Sequence, residues 1–549
     1  MTIAGPPPAA EGTAEVVLTD PTRGFLLFRN RRGATATDRP QGPTIRDLTI
    51  RHDPLPFTQG RIVDLSADRR TITLAVDDGF PNVDAAPFTA HEPLVISANV
   101  FTADGARVKR VTEDARSNFK RFARIDAIDT QTAELRLADG IEPGGLQVDR
   151  RLALIPRHQN ATLFIHADVT EPTYERVRVH STANFAFEFN ACDRPVVRDC
   201  VVTPAPNSGA LVATNADGVH CNNCPRGPLV EGNTFRRTSD DPIVADTELM
   251  AVREFLDDQT VAVAADFGTR VGAGDRLVAA TPSLERIGML PAVDAVDERG
   301  GGITDDAVNP ESVTFTDSVR DILEVGDALV GPRMRNREAV VRDNTVEATR
   351  ARYVRFGGVA GGVIERNRFL GTNANGIELD ASGDIRPGFS DLKGWSTDVR
   401  IRDNDIRDTG LVGVPSGIPR AIVVGVDGGE GLAPDASTTG RPHRNVTLSN
   451  NRIRGVAGHG IELADVEGVT IDGDRIENPN RIPVSDIAAY GIGLRNVRDA
   501  TVTGVTVRSD ADLSGFGWRV ESEGVSVSDN RFEIDSTAQQ AIFEQLREQ

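Results

Sequence analysis

The sequence contains very little lysine, few aromatic residues and no long apolar run. Its only lysines are residues 109, 120 and 393, so nearly every positive charge is an arginine, and the formal net charge is −20. That balance provides no basic surface for nucleic acid. Because no apolar stretch reaches the roughly 18 residues of a membrane-spanning helix, we expect no contact with a membrane.

The N-terminus also lacks the pattern of a signal peptide. Residues 1–8 are Met-Thr-Ile-Ala-Gly-Pro-Pro-Pro, without a basic segment followed by an apolar core. From the sequence as it stands we expect a cytoplasmic protein, and a secreted one if further residues precede it.

Cysteine is scarce, and its four residues fall between positions 192 and 224. Cys221 and Cys224, next to His220, have the spacing of half a zinc site or of a redox pair. Because no second such pair accompanies them, we favour small side chains buried inside a repeat. We expect neither a metal nor a cofactor.

What the sequence has in abundance is glycine, with 52 residues, and a recurring pattern of apolar-x-x-Asn-x-apolar. Alternating apolar residues point into a narrow core, and a single turn of this length buries its face only by stacking on the next. At the bend, the repeated asparagine tolerates left-handed backbone and can hydrogen-bond to the next coil. The pattern occupies residues 230–235, 341–346, 364–369, 401–406, 448–453 and 527–532, and it recurs with another residue in place of the asparagine at 45–50, 197–202 and 471–476.

The fold class that this pattern predicts is all-β, a parallel β-helix, whose right-handedness we take from known β-helices. Two blocks without the asparagine repeat interrupt it, and we interpret both as inserted antiparallel β modules of barrel type. The expected organisation is an N-terminal tail with the first coil (1–56), the first module (57–160), coils with the aspartates described below (161–246), the second module (247–337), C-terminal coils (338–535) and a polar, helix-prone cap or tail (536–549).

Three aspartates are spaced by one predicted coil. Asp217 lies 23 and 24 residues before Asp240 and Asp241. Coils stack about 4.8 Å apart, so side chains splayed from neighbouring coils span about 5 to 9 Å, the range of both retaining and inverting glycosidases. Aspartates grouped in this way raise one another's pKa values, as a general acid requires. Aspartate is also an ordinary turn residue of β-solenoids, so a purely structural role stays open.

Several segments resemble the family 110 glycoside hydrolases, exo-acting α-galactosidases built on a β-helix with inserted barrel modules. The likeness covers about residues 45 to 410. The segments that carry it are Asp-Pro-Leu-Pro-Phe-Thr-Gln-Gly (53–60), Asp-Asp-Gly-Phe-Pro (77–81), Ala-Asp-Gly-Val-His (216–220), Asn-Cys-Pro-Arg-Gly (223–227), Ser-Asp-Asp (239–241), Arg-Ala-Arg (350–352) and Trp395.

The resemblance implies a carbohydrate partner and hydrolysis of terminal α-linked galactose, or a related sugar, with inversion and without a metal. It makes Asp217 the general acid, with Asp240 and Asp241 on the base side. Asn215 and His220 would contact sugar hydroxyls.

Three further residues carry open alternatives. Arg350 and Arg352 would donate to hydroxyls or restrain the aspartate pair, or form a solvated arginine ladder. Trp395 would stack on a pyranose or cover the core. The chain differs from the family after the aspartate pair, where it reads Pro-Ile-Val-Ala-Asp (242–246), and after Arg352, where Tyr353 stands in place of glycine. The sugar is therefore less determined than the reaction.

Two other functions remain open from the sequence. A β-helix polysaccharide lyase or epimerase would need a basic residue beside a uronate carboxylate, a role for Arg350 or Arg352. A solenoid that binds carbohydrate without turnover would need no acid.

Overall fold

The computed structural model is almost entirely β-structure. It describes residues 1–5, 14–30, 39–90, 95–106, 118–119, 122–141, 143–158, 161–265, 270–300, 308–382, 385–386, 389–390, 393–410, 419–426, 440–482, 490–510, 513, 515–534, 537–540 and 543–545. Within these residues there is one short helix, Ala86–Thr89. No helix in the described ranges is long and apolar enough to cross a membrane.

Each coil of the solenoid contributes three short parallel strands, one to each of three faces. Face 1 consists of Leu26–Arg29, Phe164–Ala167, Phe187–Asn190, Val219–Asn222, Ile243–Asp246, Val354–Gly357, Ile377–Ala381, Ile422–Val426, the first halves of Ile461–Asp472 and Tyr490–Thr503, Gly515–Val520 and Phe543–Gln545. Face 2 consists of Thr2–Ala4, Thr44–Arg46, Thr173–Glu175, Val196–Arg198, Leu229–Glu231, Val340–Arg342, Val363–Glu365, Arg400–Arg402, His443–Ser449, the second halves of the two long strands and Glu523–Ser528. Face 3 consists of Ala14–Leu18, Leu48–His52, Arg178–Val179, Val201–Val202, Thr234–Arg236, Thr345–Glu347, Arg368–Thr372, Asp405–Thr409, Arg452–Val456, Arg475–Glu477, Thr506–Ser509, Arg531–Ile534 and the antiparallel Thr537–Gln540.

The register of face 1 stacks like positions of successive coils. Val219 pairs with Phe187 on one side and with Ile243 on the other, and all three side chains are fully buried. The alternate positions point outward, so His220 lies between Glu188 and Val244. The core and the outer surface of face 1 are therefore two separate columns of stacked residues.

The four cysteines are free thiols in the main core of the solenoid. All four are completely buried among aliphatic and aromatic side chains. The prediction that they are small core residues is confirmed.

The repeated asparagines form a ladder inside the solenoid. The amide group of Asn344 donates to Oδ1 of Asn367, and that of Asn367 donates to Oδ1 of Asn404, both at 3.0 Å. Each amide also bonds a main-chain carbonyl of the preceding coil, as between Asn344 and Val230 at 3.0 Å. The expected left-handed backbone, however, lies one residue earlier, for example at Asp343 with φ of 57°. The asparagine itself keeps an ordinary backbone because its side chain must point inward.

The first module is a seven-stranded antiparallel sheet between face 3 and face 1. It enters after His52 and returns before Phe164. Its strands are Thr58–Leu65, Thr71–Val76, Val95–Phe101, Asn118–Phe119, Phe122–Asp129, Thr132–Leu137 and Arg151–Arg157.

The second module is a closed six-stranded barrel between face 1 and face 2. Its strands are Met250–Phe255, Thr260–Ala264, Arg276–Ala280, Arg286–Gly300, Val308–Phe315 and Ala328–Val330. A separate two-stranded sheet pairs Ile385–Arg386 with Phe389–Ser390. A parallel solenoid with two antiparallel insertions confirms the predicted fold class. The predicted boundaries at residues 160 and 536 lie outside the described residues.

The C-terminal stretch is extended where it is described, although the sequence is helix-prone. Thr537–Gln540 pairs with Arg531–Ile534 of face 3, and Phe543–Gln545 pairs with Gly515–Val520 of face 1. The open edge of a solenoid presents main-chain N–H and C=O groups without hydrogen bonds. Pairing with these groups stabilises an extended conformation more than the local helix propensity stabilises a helix.

Candidate active site

The aspartates lie where the chain passes from face 3 to face 1, on consecutive coils. Asp217 precedes the strand Val219–Asn222, and Asp240 and Asp241 precede the adjacent strand Ile243–Asp246. The main-chain N–H of Gly218 donates to the carbonyl of Asp241 at 3.1 Å. A Cβ at Gly218 would approach the carbonyl of Pro242 to 2.5 Å, so only glycine allows this approach of the two coils.

Asp217 is buried and bonded to His220. Its Oδ2 lies 2.6 Å from Nδ1 of the imidazole, which stacks on the ring of Phe185 with 4.7 Å between ring centroids. Burial raises the pKa of Asp217, and the negative charge of Asp240 raises it further, while the bond to His220 lowers it. Burial alone would lower the pKa of His220, but Asp217 raises it to about 9.

Asp240 is held by two guanidinium groups. Arg350 Nη2 lies 2.6 Å from Oδ1, and Arg157 forms an ion pair with Oδ2. Arg157 comes from the last strand of the first module and also donates from Nε to the carbonyl of Asn215 at 2.7 Å. The first module thus supplies one of the two cations that neutralise Asp240.

Asp241 is more deeply buried than Asp240, with 6% of its side chain exposed against 18%. It accepts the main-chain N–H of Arg352 at 2.7 Å, and the guanidinium of Arg352 is shared with Glu378 at 3.0 Å. Burial, together with the charges of Asp240 and Asp217, raises the pKa of Asp241 to about 7 in spite of Arg352. Asp241 is therefore poised to gain or lose a proton near neutrality.

A second group of charges lies on face 1 at the far end of the strand Ile243–Asp246, which follows Asp240 and Asp241. Asp246 lies 3.1 Å from Nζ of Lys393 and 3.6 Å from Arg355, and Lys393 also pairs with Glu248. Burial alone would raise the pKa of Asp246, but the cations Arg355 and Lys393 lower it to about 2. In the ranges that the structure describes, no three side chains of His, Cys, Asp or Glu converge as metal ligands.

The structure brings six of the eight predicted site residues together and places two elsewhere. Asn215 is fully buried and donates to the carbonyls of Pro56 and Pro156 at 2.9 and 2.6 Å, so it fastens the first module to the solenoid. Trp395 is 5% exposed in an apolar cluster at the base of the barrel, with the guanidinium of Arg335 5.6 Å from its ring. The six that converge are Asp217, His220, Asp240, Asp241, Arg350 and Arg352.

Three members of the site were not predicted from the sequence. Glu188 and Glu378 occupy outward positions of face 1, in register with His220 and Arg355 respectively. Aligning Phe-Glu-Phe-Asn (187–190) with Val-His-Cys-Asn (219–222) as successive coils would have found Glu188. No sequence signal places Arg157 beside Asp240, because that contact depends on how the inserted module docks.

Comparison with known proteins identifies no family for this chain. No protein-family model matches the chain, and no curated protein matches it by sequence. Similar solved structures include a family 28 exopolygalacturonase of Yersinia enterocolitica, 11% identical over 95% of this chain and 78% of that one, with a TM-score of 0.36. Tailspike protein 3 of bacteriophage CBA120 is 10% identical over 95% of this chain and 49% of that one, with a TM-score of 0.33. The mannuronan C-5 epimerase AlgE4 A-module of Azotobacter vinelandii is 9% identical over 70% of this chain and 79% of that one, with a TM-score of 0.25.

This chain spans about half the length of the tailspike protein that it matches. The resemblance to the family 110 enzymes stays a prediction.

Proposed function

We propose that the chain is a glycoside hydrolase, exo-acting and inverting, that cleaves terminal α-linked galactose or a related sugar. Asp217 is the general acid, and Asp240 and Asp241 form the base side. The observation that carries the proposal is the group of three neighbouring carboxylates in one corner of the solenoid. Each has a different environment, and glycosidases separate acid from base by such differences.

The reaction needs one proton donor and one proton acceptor. Asp217 transfers its proton to the glycosidic oxygen as the bond to the anomeric carbon breaks. Asp241 takes a proton from the attacking water, and its pKa of about 7 suits a base that must be ionised at neutral pH. Exchange with solvent returns both groups to their starting states.

Asp240 and the arginines orient the reactants in this proposal. Asp240 is the most exposed of the three carboxylates, with 18% of its side chain accessible, and it is fixed by Arg157 and Arg350. A fixed acceptor of this kind holds the water beside Asp241, while the guanidinium groups donate to sugar hydroxyls.

The test is turnover of a panel of α- and β-linked galactosides and other glycosides by the purified protein. Asp217→Asn is expected to lower kcat by roughly 10²–10⁴-fold on a natural disaccharide, because proton transfer to the leaving oxygen is lost. The loss should be much smaller for a 4-nitrophenyl glycoside, whose leaving group needs little protonation. Asp241→Asn should be equally impaired on both, since water activation is needed in either case.

Asp343→Asn is the matched control, because Asp343 is an exposed aspartate on another turn of the solenoid. NMR of the first product anomer tests inversion. Release of an unsaturated, ultraviolet-absorbing product from a uronan would contradict hydrolysis in favour of a lyase. Carbohydrate binding that is unaffected by Asp217→Asn, with no turnover of any glycoside, would leave a binding solenoid.

A further inference from the structure

Four polar side chains form a hydrogen-bonded chain along the outer surface of face 1 and end at the candidate acid. Asn190 donates to Glu188 at 2.8 Å, and Asn222 donates to Asn190 at 3.0 Å. Oδ1 of Asn222 then faces Nε2 of His220 at 3.1 Å. His220 in turn contacts Asp217 through its other nitrogen. We name Glu188, Asn190, Asn222 and His220 the Glu188 chain.

The direction of this chain is fixed by its first member. A carboxylate only accepts hydrogen bonds, so Asn190 must turn its NH₂ group toward Glu188 and its oxygen toward Asn222. Asn222 must then turn its NH₂ group toward Asn190 and its oxygen toward His220. Nε2 of His220 therefore faces an acceptor and must carry a proton. Thr162, which donates to the second oxygen of Glu188 at 2.9 Å, supports the same polarity.

We propose that the Glu188 chain fixes a proton on Nε2 of His220 and so favours the imidazolium, in which Nδ1 donates to Asp217 and Oδ1 of Asp217 is left as the oxygen that carries the acid proton. In the imidazolium, Nδ1 of His220 donates to Oδ2 of Asp217 across 2.6 Å, so that oxygen is occupied. The imidazolium charge also keeps the buried Asp217 from becoming too weak an acid. Glu188 is in this sense a positioning residue, four side chains away from Oδ1. The inference deepens the proposed function and rests on Asp217 being the acid.

The charged groups around His220 are all on adjacent elements. Glu188 lies on the preceding coil and Asp246 on the following one, and both raise the pKa of the imidazole after Asp217. Arg355 pairs with Asp246 at 3.6 Å, and Arg157 from the first module lowers the pKa of Asp217. None of them bonds to Nε2, so the proton there depends on Asn222.

The test measures the protonation of His220 by ¹⁵N NMR of the full chain with labelled histidine. The chain has eight histidines, and His220→Gln assigns the signal. In Glu188→Gln the first acceptor becomes an amide, so the two asparagine amides can reverse and present NH₂ to Nε2. The pKa of His220 is then expected to fall by about one unit or more. Glu231→Gln, a charge-matched change on face 2, should leave it unchanged.

Two further variants complete the test, namely Asn222→Asp alone and Asn222→Asp combined with Glu188→Gln. The single variant does not depend on whether Glu188→Gln folds. Asn222→Asp places a permanent acceptor at Nε2, so it should raise the pKa of His220. Added to Glu188→Gln, it should restore a doubly protonated ring. An unchanged His220 pKa in both single variants, or failure of the double variant to recover, would overturn the proposal.

Activity gives a separate readout. If the protein is a glycosidase, the alkaline limb of its kcat profile should move in Glu188→Gln and return in the double variant, with KM unchanged. If no glycoside is hydrolysed while the NMR shifts occur as expected, the proposed function fails and the proton assignment at His220 stands.

Discussion

At the scale of single residues, the site contains adjacent aspartates with opposite effects on stability. The folded protein raises the pKa of Asp241 from 3.8 to about 7, so it favours the protonated form. That contribution is complete below the unfolded pKa and is lost as the pH rises through about 7. At neutral pH and above, Asp241 therefore destabilises the fold. Asp240, in contrast, is matched by two guanidinium groups.

We predict that Asp241→Asn stabilises the protein by about 1 to 2 kcal/mol near pH 8 and gives no gain near pH 4. The same variant should lose activity, because the base is gone. Urea denaturation at the two pH values measures the difference in free energy of unfolding. Asp240→Asn is the neighbouring control, and it should destabilise by about 2 kcal/mol because Arg157 and Arg350 lose their carboxylate. A destabilised Asp241→Asn at alkaline pH would contradict the raised pKa.

At the scale of elements, one position of the asparagine ladder is occupied by an aspartate. Asp474 occupies the ladder position of its coil and accepts from the amide and the main-chain N–H of Asn451 at 3.0 and 2.6 Å. Among the residues that the structure describes, its second oxygen is buried without a hydrogen-bond partner. Burial raises the pKa of Asp474 to about 7. An aspartate at this position therefore fits the ladder only when it is protonated.

We predict that Asp474→Asn stabilises the solenoid by about 1 to 2 kcal/mol near pH 8, where the carboxylate must otherwise be ionised, and has little effect near pH 4. The new NH₂ group points toward the preceding coil, where the other ladder amides find a carbonyl. Thermal unfolding of the variant is compared with Asp472→Asn, which removes an exposed aspartate two residues away. Because the charge of Asp472 raises the pKa of Asp474, this variant should give a smaller stabilisation near pH 8 than Asp474→Asn. A stabilisation that is equal at both pH values would reject ionisation as the cause.

The coils could be predicted from the sequence because their cause is local and repeated. The ladder asparagines recur at a fixed place between apolar residues, and the structure stacks them as expected. The turn chemistry was less visible, since the left-handed residue is Asp343 or Arg366 rather than the asparagine that follows. The sequence repeat identifies each coil. Which residue of the turn adopts the left-handed backbone depends on which side chain must enter the core.

The site was predictable only in part, for a related reason. Asp217, Asp240 and Asp241 follow the coil period, so their stacking could be read from spacing. Arg157 is 83 residues from Asp240, and Asn215 is used for docking because two prolyl carbonyls of the module need donors. Contacts that depend on the placement of an insertion have no period in the sequence.

At the scale of the whole molecule, a buried asparagine helps to fasten each inserted module to the solenoid. Asn215 bonds the carbonyls at both ends of the first module. Asn336, which follows the barrel, donates from its amide to the carbonyl of Asp246, which precedes the barrel, at 2.8 Å. Because repeats contact only their neighbours, we expect each fastening to act locally. Only the first one lies beside the aspartates.

We predict that Asn215→Ala loosens the first module and lowers activity, while Asn336→Ala loosens the barrel and leaves the site intact. In Asn215→Ala the buried carbonyls of Pro56 and Pro156 lose their donor, at a cost of about 2 kcal/mol. Arg157, which follows Pro156 on the same strand, is then held less firmly against Asp240. Hydrogen exchange should rise in the strand Arg151–Arg157 and stay unchanged in the C-terminal coils. In Asn336→Ala, exchange should rise in Met250–Phe255 and Ala328–Val330 instead. Faster exchange throughout the solenoid in either variant would mean that the modules and the coils unfold as one unit, and that the site depends on the whole molecule rather than on its nearest insertion.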